Sequence, residues 1–307
     1  MKKILFFSLT LLLSVPLFSQ VTEVEKELKK QPADTVEGWK SGGLFSLTFS
    51  QVSLTNWAAG GENSISVNGL VNLYANYLKD KTSWDNSFDL GYGILNQGKE
   101  NNWMKTDDKV ELMSKYGRKA GKHWYYSGLL SFKTQMTPGY NYPNDSNKIS
   151  NLLAPGYVLG AIGMDYKPSK KFSAFLAPFT SKMTIVNDKD LLAVGAFGVD
   201  TGKTIRAEFG GYIRLFYKTD IQKNITLQTK LDLFSNYLHN PQNIDVNWET
   251  LVMIKVAKYI TMNLTTTLLY DDDIKVAVDR NNDDVPDGMA VRTQFKEVFG
   301  VGFAYKF

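Results

Sequence analysis

The stretch IRAEFGGYIRLFY, Ile205 to Tyr217, decides how the rest of the chain is read. Ile205, Phe209, Ile213, Leu215 and Tyr217 share one parity, while Arg206, Glu208 and Arg214 share the other. A helix would return its apolar residues at every third or fourth position. A period of two describes a strand with one apolar and one polar face.

The same alternation runs along most of the chain. Phe45, Leu47 and Phe49 alternate with Ser46, Thr48 and Ser50. Ile65, Val67, Val71, Leu73 and Tyr77 follow, then Trp84, Phe88, Leu90, Tyr92 and Ile94. Later segments carry Leu227, Leu231, Leu233 and Tyr237 against Gln228, Lys230 and Asp232, and Trp248 beside Glu249. Only Phe172 to Thr180 is ambiguous, because both parities are apolar. About twelve strands emerge, each able to cover the roughly 9–11 residues a tilted membrane strand needs. The connections alternate in kind. KDKT, RKAGK, KPSKK, KTDIQKN and AKY are short and rich in lysine. Between them lie longer segments at 55–62, 97–103, 137–155, 184–203, 238–244 and 271–291.

This pattern predicts an all-β fold: a transmembrane, antiparallel, up-and-down β-barrel with short periplasmic turns and longer extracellular loops. A soluble β-sandwich or secreted barrel would alternate too, with its apolar face buried instead. Two features favour the membrane. Tyr, Trp and Phe crowd the strand ends, as interface girdles require. Arg206, Glu208, Arg214, Lys230, Asp232 and Glu249 lie mid-strand, where they would line a wet lumen. Twelve strands fall between eight, which side chains fill, and sixteen, which leave a channel.

The beginning of the chain, MKKILFFSLTLLLSVPLFSQ, has a charged start and a short apolar core. Residues 1–19 are expected to be a secretory signal peptide, 20–43 a periplasmic tether and 44–307 the barrel. The location expected is the outer membrane of a two-membrane bacterium. With no cysteine, there is no disulfide framework and no thiolate metal site. The net charge of +4 includes Lys2 and Lys3, so the remainder is close to neutral and argues against nucleic acid as a partner.

The chain ends GVGFAYKF. Gly302, Tyr305 and Phe307 resemble the glycine-and-aromatic signal that outer-membrane barrels present to their assembly machinery. The stretches FSQVSLTNWAAGGENS, APGYVLGAIGMDYKP, TIVND, GKTIRAEFGGY and QFKEVFGVGFAYKF resemble an uncharacterised outer-membrane β-barrel family known only as a domain of unknown function. The resemblance implies fold and location. It carries no activity, substrate or catalytic residue.

Other motifs give little chemistry. Gly60 and Gly61 are not followed by a helix or a Lys-Ser/Thr pair, so they are no phosphate loop. Asn56, Trp57, Gly60 and Gly61 are expected at the crest of the first hairpin, folded over the barrel mouth. Asp279, Asn281, Asp283 and Asp287 stand at spacings that suit oxygen ligation of Ca²⁺, although Asp284 replaces an expected glycine. A solvated acidic turn is the alternative reading. Of the two histidines, His123 shares a strand face with Ser127, but about 13 Å separates them. No cofactor and no catalytic set is therefore expected. Function narrows to a small channel for polar or charged solutes, or a non-conducting structural or assembly partner. An envelope lipid enzyme is the third and weakest alternative. Outer-membrane lipid and the assembly machinery are the expected partners.

Overall fold

The structure is a computed structural model and describes residues 37–54, 62–98, 103–142, 145–278 and 288–307. The expected signal peptide lies outside these residues. So do Asn56, Trp57, Gly60 and Gly61, and the four expected calcium ligands Asp279, Asn281, Asp283 and Asp287.

Twelve antiparallel strands close into a barrel. They are β1 (Gly38–Val52), β2 (Ser64–Lys79), β3 (Thr82–Gln97) and β4 (Trp103–Lys119). Next come β5 (Trp124–Thr134), β6 (Gly156–Ser169), β7 (Phe172–Ile185) and β8 (Ile205–Gln222). Last are β9 (Ile225–Asn236), β10 (Ile244–Lys255), β11 (Ile260–Tyr270) and β12 (Gln294–Lys306). Each strand pairs with its neighbours in sequence, and β12 pairs with β1. The barrel thus begins at Gly38, not at Leu44, and the expected tether boundary moves accordingly. Gly42 and Gly43 carry no side chain and so conceal the strand's parity in the sequence.

The two faces are inverted relative to a soluble protein. Ile162 is 68% exposed and Phe179 63% exposed, whereas Glu208 is 4% and Asp165 1% exposed. Apolar residues therefore point outward and charged residues inward, which overturns the sandwich alternative. Two of the outward tryptophans, Trp84 and Trp248, have their indole N–H groups satisfied. Trp84 Nε1 donates to Ser114 Oγ at 2.8 Å, and Trp248 Nε1 to Thr229 Oγ1 at 2.8 Å, each on an adjacent strand. Such pairing matters where no water can substitute.

The ambiguous run at Phe172 resolves into a bulged strand. Phe175 and Ala177 turn inward while Leu176 and Phe179 face out, and the β7–β8 register shifts between Gly210 and Tyr212. Phe175 and Ala177 join Leu129, Ala161, Tyr212 and Phe234 in a buried cluster inside the barrel. The β5–β9 side of the interior is therefore packed rather than wet.

The long loops carry some structure of their own. A small hairpin pairs Gly139–Tyr140 with Lys148–Ser150, and another pairs Lys275–Val278 with Gly288–Val291. A five-residue helix, α1 (Lys189–Ala193), sits in the β7–β8 loop.

Closure is achieved at the β12–β1 seam. Register runs from Leu44 opposite Lys306 to Thr48 opposite Gly302. The ladder extends through Gly43 N–H to Phe307 O at 2.9 Å and Phe307 N–H to Gly43 O at 3.1 Å. A Cβ at Gly302 would fall on the Leu47 carbonyl oxygen and the Thr48 Cα, nearer than atoms can approach. Gly302 thus has a packing reason independent of any assembly signal. Gly302→Val should lose the heat-modifiable folded band on electrophoresis, since forced overpacking costs about 1–3 kcal/mol. Gly160→Ala, where an added Cβ meets nothing within 4 Å, should retain the band.

Candidate functional site in the barrel interior

All six expected lumen residues lie on the inward face, and they meet in ion pairs. Arg214 on β8 holds Asp232 on β9 through two parallel bonds, Nε to Oδ1 at 2.6 Å and Nη2 to Oδ2 at 2.9 Å. This fork geometry makes strong, directional pairs. The Tyr212 hydroxyl donates to the same carboxylate at 2.7 Å. Lys230 on β9 lies opposite Glu249 on β10 in register, with Nζ 3.4 Å from Oε2. Arg206 and Glu208, two residues apart on β8, pair at 2.7 Å.

The sequence did not disclose what these groups face. Lys109 on β4 places its Nζ 3.0 Å from both carboxylate oxygens of Glu249 on β10. In a ring of twelve, β4 and β10 stand opposite each other. Glu111, also on β4, reaches Lys230 at 3.4 Å and Arg214 at 3.5 Å, and contacts Lys109 at 3.1 Å. Side chains from opposite walls therefore touch in the middle of the barrel. No strand-by-strand reading finds Lys109 or Glu111, because their partners are neighbours only after closure.

Further ion pairs lie above and below this middle tier. Towards the long-loop end, Lys182 meets Asp245 at 2.5 Å, Asp271 at 3.3 Å and Glu208 at 3.6 Å. Arg206 also reaches Asp273 at 3.1 Å. Towards the short-turn end, Lys115 meets Asp165 at 2.6 Å and Lys167 meets Asp85 at 2.6 Å. Across from the apolar cluster, the wall is made of hydroxyls and amides. Asn72 Nδ2 donates to Asp89, and Asn263 Nδ2 to Ser46 Oγ at 3.3 Å.

The long-loop end is partly covered. Asp108, on β4, accepts the backbone N–H groups of Met136 at 2.8 Å and Thr137 at 2.9 Å, tying the start of the β5–β6 loop to β4. Lys105 Nζ adds bonds to Asp108 and to the Thr137 carbonyl. The β7–β8 loop packs Val186, Leu191 and Val199 against Ala154 of the β5–β6 loop. Asp188 caps α1 through the N–H groups of Asp190 and Leu191 and receives Lys148 Nζ at 2.7 Å and Asn151 Nδ2 at 2.8 Å.

The remaining expected residues are less engaged. Tyr305 and Phe307 are exposed on the outer face, their rings stacked at 6.1 Å. His123 lies in the turn before β5, its ring edge-on to Tyr166 at 6.3 Å, and Ser127 is buried on the inward face. Asp245, Asp271 and Asp272 approach one another closely enough for a cation, but Lys182 and Asn243 already engage them.

Burial pushes the Asp188 carboxyl up, but hydrogen bonds from Lys148, Asn151 and the Leu191 N–H outweigh it and hold it at about 2. A carboxyl depressed on folding stabilises above its ordinary value of about 4 and loses that contribution as pH falls through its folded value. Hydrogen exchange at residues 188–191 should stay slow at pH 4 and quicken towards pH 2. Lys148→Ala should move that transition to higher pH.

Comparison with known proteins gives weak likenesses. No curated protein matches the chain in sequence. Among solved structures, the NanC porin is 9% identical, with a TM-score of 0.39, covering 85% of this chain and 98% of the porin. The COG4313 outer membrane channel from Pseudomonas putida F1 is 10% identical, with a TM-score of 0.40, covering 91% of this chain and 100% of the channel. The translocator domain of autotransporter NalP from Neisseria meningitidis is 7% identical, with a TM-score of 0.34, covering 93% and 94% respectively. Residues 49–140, from the end of β1 past the end of β5, match the model of the family described as "Protein of unknown function (DUF3078)"; of the stretches quoted for the resemblance, FSQVSLTNWAAGGENS falls within that match and the others lie beyond it.

Proposed function

We propose that this chain is an integral outer-membrane β-barrel enclosing a latched conduit for small polar or charged solutes. Its strands run from 11 to 18 residues, long enough to cross a bilayer. A closed ring gives every strand a hydrogen-bonded neighbour on both sides, as a lipid solvent requires. The outward belt of Phe, Leu, Ile and Trp is far too continuous for a surface in water. The short turns would face the periplasm and the long loops the exterior, after export by the N-terminal signal.

One observation carries the latch: the Lys109–Glu249 pair between opposite strands. With Glu111 and Lys230 it bars the axis at mid-depth, and a solute must part these charges to pass. Parting a paired charge in a poorly hydrated interior costs several kcal/mol, whereas a solute that replaces one partner recovers much of it. The hydroxyl and amide wall from β11 through β3 supplies hydrogen bonds on the rest of the route.

The buried cluster of Leu129, Phe175, Tyr212 and Phe234 favours a second reading. A lumen half filled by apolar side chains suits a non-conducting structural or assembly partner.

Liposome swelling separates the two. Wild-type protein should leave liposomes as tight to small sugars and amino acids as empty ones. Removing Lys109, Glu111, Lys230 and Glu249 together, which leaves net charge unchanged, should raise swelling several-fold. Fast swelling with the wild type would contradict the latch. A folded quadruple variant as tight as wild type would contradict the conduit and leave the structural role.

A further inference from the structure

The short-turn end of the barrel is predominantly basic. Its five turns all join an even-numbered strand to the next odd-numbered one, so they lie together at one end of the antiparallel ring. Each turn presents an exposed lysine: Lys81, Lys122, Lys171, Lys223 and Lys258. None of the five enters an ion pair among the described residues. Glu37, Asp80 and Asp220 are the nearby acids. The opposite end, by contrast, is rich in carboxylates, among them Asp188, Asp190, Asp200 and Asp271.

Directly inside this ring of lysines, on the outer face, stands a belt of paired aromatic rings. Trp39 packs against Trp84 at 5.4 Å and Tyr77 at 5.3 Å. Trp124 packs against Tyr166 at 4.7 Å, and Tyr259 against Phe303 at 5.6 Å. Lys258 Nζ lies 4.9 Å from the centre of the Tyr259 ring. Tyrosine and tryptophan settle at the level of lipid headgroups. The lysines therefore stand at the depth of the phosphates, not beyond reach in bulk water. A merely solvated rim would need polarity but not an excess of one sign. Each such lysine near an anionic surface contributes about 1 kcal/mol, and five on one rim act on the same lipid annulus.

We propose that this rim binds anionic phospholipid headgroups of the leaflet that contains the short turns. The lysines hold the phosphates, and the aromatic belt packs against the glycerol-proximal segments of the same lipids' acyl chains. This inference rests on the outer-membrane reading above, and the following test separates the two.

The full chain is reconstituted in phosphatidylcholine vesicles that contain an equal mole fraction of either brominated phosphatidylcholine or brominated phosphatidylglycerol. Bromine quenches tryptophan on contact, and Trp39, Trp84 and Trp124 report from this end. Brominated phosphatidylglycerol should quench several-fold more effectively than brominated phosphatidylcholine. High salt should remove the difference, because screening shortens the reach of exposed charges. The variant with Lys81, Lys122, Lys171, Lys223 and Lys258 all changed to Gln should show no preference while keeping its heat-modifiable mobility. Equal quenching of the wild type by the two lipids would overturn the proposal and point to an acidic protein or polymer for this rim. A preference retained in high salt, or in the five-lysine variant, would overturn it too. Quenching by neither lipid would overturn the membrane reading along with it.

Discussion

Closure of the β-ladder through Gly43 and Phe307 is the constraint on which the rest of the structure depends. Once β12 pairs with β1, along Gly43 to Thr48, every strand has one face outside and one inside, and no strand is left without a partner on either side. The outside must then be apolar along its whole length if lipid is its solvent. The charged parity of each strand has nowhere to go but inward. Ion pairs are the outcome, because charges from facing walls enter one confined space with little water to share. The Lys109–Glu249 bridge is thus a consequence of the ring, and of no single strand's sequence.

The interior is divided rather than uniform. On the β5–β9 side, Leu129, Ala161, Phe175, Ala177, Tyr212 and Phe234 pack as a core would. On the other side, Asn, Ser and Thr line the wall. The ion pairs stand along the boundary, where Arg214 and Tyr212 share the Asp232 carboxylate. Buried charge pairs are poor evidence of stability, since desolvation offsets much of their attraction. Their value here is positional: they fix which walls touch.

Much of this was legible in the sequence, and the failures have physical causes. Alternation in Ile205–Tyr217 or in Leu227–Tyr237 disclosed the strands and the face of each charge, because parity is a local property. Arg214 and Asp232, or Lys230 and Glu249, could be placed on neighbouring strands for the same reason. The beginning of β1 was hidden by Gly42 and Gly43, which carry no parity signal. Phe172 to Thr180 was ambiguous because its inward residues serve an apolar cluster, and because a bulge shifts the register part-way along. Lys109 and Glu111 could not be read at all: their partners sit across the ring, a relation set by closure and not by sequence spacing. The loop packing of Asp188 with Lys148 and Asn151 depends likewise on two loops meeting over one mouth.

The central claim is that the barrel is bridged from wall to wall at mid-depth. An experimental structure in a lipid nanodisc, resolved well enough to place side chains, tests it most directly. The account predicts Lys109 Nζ within hydrogen-bond reach of Glu249, Glu111 between Lys230 and Arg214, and no continuous file of water past them. An open, water-filled lumen that parts Lys109 and Glu111 from Glu249, Lys230 and Arg214 would contradict it.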